Sequence, residues 1–241
     1  MRGSVTVGRF DNVPIVLHAS LLPVFALVSW TLAVRFFPFL FPNWSPARYW
    51  LVGVAGSLLV FGSVLMHELG HTFVARQRGL TVAGISLFFL GGIAEIDVDG
   101  GTAGDEFWMA LAGPVVSLGL AGGFGGVWLS AGRTFPEIGA IALYLSVSNF
   151  LLAGFNLLPA YPLDGGRLVR SGLWRLCHDQ CRATTWASWL GQFLGGTGMV
   201  AGLVWLLSGA LLAGFWALVV GLFVLIAARG ALPTFLSSSS S

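Results

Sequence analysis

Residues 49–71 read YWLVGVAGSLLVFGSVLMHELGH. Tyr49–Met66 carries no Asp, Glu, Lys or Arg. Such a run approaches the roughly 20 apolar residues that a helix needs to cross a bilayer. His67, Glu68, Leu69, Gly70 and His71 follow at once. Two His at i and i+4 of a helix share one face, one turn apart, and the Glu between them is placed to take a proton from a water activated by a metal held there. That spacing suits a catalytic zinc. Its position in a span is unusual, because an ionisable group there costs about 2.5–3.5 kcal/mol on insertion scales. A bound metal ion would offset that cost.

The rest of the chain agrees with a membrane setting. Of its 241 residues, 56% are hydrophobic and 9% charged, and the mean hydropathy is +0.85. A soluble domain carries about 25% charged residues. We therefore expect an integral, multi-pass membrane protein with the lipid bilayer as its surroundings. The 12 basic residues are all Arg and the net charge is +2, with no cluster that points to nucleic acid. Two cysteines are too few for a disulfide scaffold. The expected organisation is one membrane-embedded domain over residues 1–236, with its core at about 46–166. Ser237–Ser241 reads as a disordered low-complexity tail.

Working outward from residues 49–71, Asn12–Val34 reads as a first span, too long for the apolar core of a signal peptide. Ser45-Pro46 reads as a helix start, Ser as N-cap and Pro at the first helical position. Phe107–Gly132 and Ile138–Leu163 are further spans. Ala183–Ala228 is uncharged over 46 residues, enough for two more with a tight turn near Ser208-Gly209. The fold class is thus an all-α polytopic membrane protein of about six transmembrane helices. Glu95, Asp97 and Asp99 alternate with Ile96 and Val98, a strand pattern. With Ile85–Leu90 across Gly91-Gly92 they suggest a short β-hairpin between spans two and three. With six spans, one side holds Arg2, Arg9, Arg76, Arg78, Arg167, Arg170, Arg175, Arg182 and Arg229, and the other Arg35, Arg48 and Arg133. Nine against three places both termini in the cytoplasm.

A catalytic zinc usually takes three protein ligands. His67 and His71 supply two, and Asp164, His18, Glu95, Asp97, Asp99 and His178 are candidates for the third. Asp164 is favoured. From Tyr49 to His67 is 18 steps, roughly 27 Å along a helix, so His67 falls near the cytoplasmic end of span two. Asp164 follows the last apolar residue of span four and falls at the same face. It sits in Asn156-Leu-Leu-Pro159-Ala-Tyr-Pro162-Leu-Asp164-Gly165-Gly166, where two prolines predict an unwound end to the span and two glycines a sharp turn. Unwound backbone at membrane depth is tolerated where it lines a watered cavity.

HELGH in one span with NLLPAYPLDGGR ending a later one resembles the site-2 protease family of intramembrane zinc metalloproteases. Phe89–Glu95, Ala112-Gly113-Pro114 and His18 also resemble family segments, and the likeness covers roughly residues 10–175. It implies six spans around a core of spans two to four, and hydrolysis of peptide bonds of single-span membrane protein substrates in a bacterial plasma membrane. It implies one zinc per chain, with His67, His71 and Asp164 as its ligands, Glu68 as the catalytic acid/base, and Asn156 near bound substrate. The 30-residue Gln77–Glu106 loop is too short for a PDZ domain and no CBS domain follows span six, so a minimal member is expected. The likeness leaves the oligomeric state open.

Other signals have plainer readings. The hairpin, through Gly91, Gly92, Ala94 and Ile96, is expected to hold an unwound substrate by strand addition; a plain half-buried hairpin is the alternative. Glu95 to Glu106 nearly spells a calcium loop, but a strand precedes it where a helix should stand. Cys177-His178-Asp179-Gln180-Cys181 clusters three strong ligands and reads better as a reduced cytoplasmic loop. Gly119, Gly122, Gly123 and Gly126 suggest close helix packing in span three. Against a protease stand an inactive relative acting as a membrane scaffold, and a metal or ion transporter. The full set His67, Glu68, His71 and Asp164 argues against the first. The lack of an internal repeat argues against the second.

Overall fold

The computed structural model describes residues 3–89, 91–97 and 101–238. Among the described residues six helices are long and apolar enough to cross a membrane: α1 (Leu21–Leu40), α2 (Pro46–Gln77), α3 (Ala103–Ala131), α4 (Pro136–Asn156), α6 (Gln180–Leu207) and α7 (Leu211–Ser238, apolar through Gly230). A shorter helix, α5 (Asp164–Cys177), lies between α4 and α6 where the sequence suggested only a loop. The protein is a mostly helical, multi-pass membrane protein. The chain separates into two compact units, one of Met1–Gly100 with Ala112–Gly154 and the other of Gly101–Leu111 with Phe155–Ser241.

The first unit contains a four-stranded sheet in the order β1 (Ser4–Phe10), β2 (Val13–His18), β3 (Thr81–Phe88) and β4 (Gly91–Asp97). The expected hairpin is β3 and β4, paired antiparallel. The N-terminal hairpin β1–β2 corrects the reading of Asn12 as the start of a span. Asp11 and Asn12 turn it with φ of 46° and 65°, the left-handed pair that a two-residue hairpin turn demands. The run after Asn12 is uncharged, but it opens with a strand and becomes helical only at Leu21. Lack of charge alone does not separate the two. β2 then joins β3 in parallel, with Ile15, Val16 and Leu17 beside Ile85, Ser86 and Leu87.

Gly91 and Gly92 are not the hairpin turn. They open β4 opposite Phe88 and Leu87, and Gly91 needs its lack of a side chain because its φ is 134°. Leu90, Val98 and Asp99, part of the expected hairpin, lie outside the described residues.

α2 starts as the sequence suggests. Ser45 is extended, its hydroxyl accepts the Arg48 amide at 3.4 Å, and Pro46 is the first helical residue. The helix runs for 32 residues, about 48 Å, so it continues ten residues beyond His67. α1, which includes a π-helical stretch at Leu32–Phe36, packs on it through a core of Leu32, Phe37, Val52 and Ala140 with Phe36 and Tyr144 around them. Two polar ties hold α2 beside α4. Arg48 pairs with Glu137 at their N-terminal ends, and further along Asn149 Nδ2 donates to Ser63 Oγ at 3.1 Å. The two helices therefore run in the same direction, and Ser63 stands one turn before His67.

α4 ends at Asn156 and residues 157–163 are not helical, as Pro159 and Pro162 lead one to expect. The Tyr161–Pro162 bond is cis. Gly165 and Gly166 serve close approach rather than a sharp turn. They lie in the first turn of α5, and a Cβ on them would stand 2.2 Å from Leu157 O and 2.1 Å from Tyr161 N respectively. In the second unit α6 and α7 meet backbone to backbone. A Cβ on Gly195 would come within 2.8 Å of Gly221 O, and one on Gly202 within 2.8 Å of Leu218 N. The turn between them has Gly209 at φ 90°. Close packing was expected at Gly119, Gly122, Gly123 and Gly126, yet a Cβ on any of these meets nothing within 4 Å. Ser237 and Ser238 close α7, and residues 239–241 are not described.

Candidate metal centre

The helical spacing of HELGH sets His67 and His71 on one face of α2, both buried. Their Nε2 atoms stand 3.2 Å apart. Two nitrogens bound to one tetrahedral zinc at about 2.0–2.1 Å each lie roughly 3.3–3.4 Å from one another, so this pair is already spaced to share an ion. Ser117 of α3 meets His67 Nδ1 at 2.9 Å. A proton on Nδ1, donated to that hydroxyl, leaves the Nε2 lone pair for a metal and fixes the ring. Gly113, one turn earlier on the same face of α3, leaves the room. A Cβ there would lie 2.2 Å from His71 Nε2 and 2.7 Å from His67 Nε2.

Glu68 is buried beside the sheet. Its Oε2 accepts the Ala94 amide at 3.0 Å. β4 is an edge strand, and successive residues of a strand face opposite sides of the ladder. The Ala94 amide is spent on Glu68 rather than on β3, so the open edge of β4, with Gly92, Ala94 and Ile96 in step, faces the carboxylate. Gly92 is the closest approach. A Cβ on it would lie 2.5 Å from Glu68 Cγ.

In the second unit Asp164 is the buried first residue of α5. Asn156 is the half-buried last residue of α4. Among the described residues, His67, His71 and Asp164 are the group able to hold a metal ion. Two imidazoles and a carboxylate are a donor set that zinc accepts at catalytic centres. None of the other described third-ligand candidates joins that group. His18 Nδ1 bonds Ser20 Oγ at 2.8 Å, Glu95 and Asp97 lie in β4, and Asp99 is outside the described residues. His178 caps α5 in the left-handed conformation. Asp179 caps α6 through the Arg182 amide at 3.0 Å, and Cys177 and Cys181 are free thiols, so that segment is a helix junction.

Gly113 and Ser117 were not singled out by sequence as parts of this centre, and Gly92 was expected to hold substrate rather than to make room for Glu68. Gly113 lies in the Ala112-Gly113-Pro114 stretch already noted as family-like. Its spacing to Ser117, i and i+4, would have placed both on one helix face.

The family model for peptidase family M50 matches residues 55–138 and 129–194, more than half of the chain. The chain belongs to peptidase family M50. Rip3 of Mycobacterium tuberculosis is 36% identical over 231 residues, 95% of this chain and 58% of that protein. A Methanocaldococcus jannaschii protein named a zinc metalloprotease is 32% identical over 93% of this chain and 59% of its own length. Among solved structures, the site-2 protease of Methanocaldococcus jannaschii superposes with a TM-score of 0.57 at 26% identity, over 95% of each chain. The family likeness seen in the HELGH and LDGG motifs thus extends across the M50 fold. The chain spans 58% of the length of Rip3.

Proposed function

We propose that this chain is an intramembrane zinc metalloendopeptidase that cuts single-span membrane proteins near the cytoplasmic side of the membrane, as in regulated intramembrane proteolysis. The observation that carries the reading is the 3.2 Å approach of the two Nε2 atoms, with Glu68 beside them turned to an open strand edge. One zinc per chain is held by His67, His71 and Asp164. When bound it supplies an activated water and a Lewis acid for the scissile carbonyl.

Glu68 takes a proton from the attacking water and returns it to the leaving amine. The Ala94 amide keeps the carboxylate oriented between those two transfers. The substrate lies extended along β4, pairing with the outward groups of Gly92 and Ile96 while Ala94 serves Glu68. Asn156 stands near the bound segment. A substrate helix must unwind to pair in this way, so Gly or Pro near the cut should favour cleavage. The Arg count sets both termini in the cytoplasm. Arg170 is buried and leaves that count, and eight against three keeps the same sign.

The test is cleavage of single-span substrates by the purified chain, with zinc measured in parallel. Glu68→Gln should retain its zinc and lose at least 10²-fold in turnover, the lower range for general acid–base catalysis. Wild-type turnover in that variant would overturn Glu68 as the general base, and no cleavage by the parent chain would leave the scaffold or transport readings standing.

A further inference from the structure

The second unit contains a charged pair that the reaction above does not use. Glu106, in the first turn of α3, and Arg170 of α5 have side chains only 1% and 2% exposed. Arg170 Nε and Nη2 both reach Glu106 Oε1, at 2.7 and 2.6 Å. Glu106 Oε2 is buried with no hydrogen-bond partner among the described residues. A guanidinium facing a carboxylate usually squares its fork onto both oxygens. Here the fork is turned aside, and the third nitrogen points elsewhere. Nη1 reaches Tyr161 Oη at 3.5 Å and Thr184 Oγ1 at 3.4 Å, and the guanidinium carbon sits 5.3 Å from the Tyr161 ring centre.

This tilt links both flanks of Asp164. Tyr161 precedes it by three residues in the unwound segment, and Arg170 follows it by six on α5. Thr184 ties the same cation to α6, its own hydroxyl donating to Gln180 O at 2.8 Å. The unwound segment is confined by backbone as well, because a Cβ on Gly191 would stand 2.5 Å from Tyr161 O. At its other end the clamp is anchored on α3 through Glu106.

We propose that Arg170, anchored by Glu106, is a positioning residue that holds Asp164 in its ligating place by gripping the chain on both sides of it. The proposal rests on the assignment of Asp164 as a zinc ligand. A pair kept for stability alone would be replaceable by apolar side chains of similar volume. A positioning pair would not, because Tyr161 would lose its grip.

The experiment measures zinc affinity of the detergent-solubilised full chain against a competing chelator, beside thermal melting. The Glu106→Met/Arg170→Met double variant should melt close to the parent and bind zinc about 10–100-fold more weakly, as loss of a ligand's supporting contact does. Excess zinc should recover much of its cleavage. Should the double variant not fold, Arg170→Lys decides. It keeps the charge and loses the fork, so zinc affinity should fall with the melting temperature little changed. Parent zinc affinity in a folded double variant, or in Arg170→Lys where the double variant does not fold, overturns the proposal. Asp164→Asn separates the two readings. If it binds zinc as the parent does, the ligand assignment fails. If it loses zinc while the clamp variants keep theirs, only the clamp fails.

Discussion

The surroundings of His67 and His71 and those of Asp164 solve the same difficulty in different ways. Each must hold polar groups still inside an apolar environment. Around the two His the protein uses contacts that include neutral ones: a hydroxyl on His67 Nδ1, a backbone amide on Glu68, and glycines where a Cβ would collide. Around Asp164 it uses a buried charge pair, with one cation shared between a carboxylate, a phenol and a hydroxyl. The difference follows from the backbone. His67 and His71 ride on an unbroken helix that fixes their spacing, so only ring rotation needs restraint. Asp164 follows seven non-helical residues, so the chain itself must be held, and a long cation reaches further than a hydroxyl. The first region should therefore be sensitive to volume and the second to charge geometry.

The largest effect should come from Gly113→Ala. Its methyl would occupy the space between the two Nε2 atoms. The variant should fold, by circular dichroism, and hold no measurable zinc. Retention of zinc would mean that α3 can yield, and the contrast with the second region would weaken. Ala94→Pro comes next. It removes the amide that orients Glu68 and should lower turnover by about 10²-fold, the scale of a misplaced catalytic group, with zinc content unchanged. A fall in zinc instead would assign β4 to supporting the metal ligands. The smallest is Ser117→Ala, where the loss of a hydrogen bond to a ligand's second nitrogen should cost about tenfold in zinc affinity. An effect as large as that of the Glu106/Arg170 variant would erase the distinction between neutral and charged support.

Much of this was legible in the sequence. HELGH fixes its own geometry because a helix has one period, and Pro159 and Pro162 announce a break because proline lacks an amide. The Ser45-Pro46 start and the Ser208-Gly209 turn are local in the same sense. What escaped depends on partners distant in the chain. Ser117 matters through a ring 50 residues away. Gly92 was expected along the substrate strand, but its approach to Glu68, 24 residues away, was not. Arg170 looked like one of nine charges setting orientation, and only its contact with Glu106, 64 residues off, marks it as buried. The N-terminal hairpin escaped because an uncharged run has no periodicity that separates a short strand from the start of a span. The glycine ridge of α3 misled in the opposite way, since spacing predicts that helices can approach there and not that one does.

The parallel pairing of β2 with β3 has a bearing on how the chain is assembled. Residues 15–17 lie beside residues 85–87, and between them come α1 and α2. Strands that share hydrogen bonds lie on one side of the bilayer, so the number of crossings between them must be even. The sheet thereby acts as a parity check on insertion. If either helix fails to cross, β2 and β3 end up on opposite faces and cannot pair. Nor can the check be made early, for β2 must wait for its second partner until both spans are threaded and β3 is synthesised. The edge that β4 offers beside Glu68 thus becomes complete only in a chain whose first two crossings are correct.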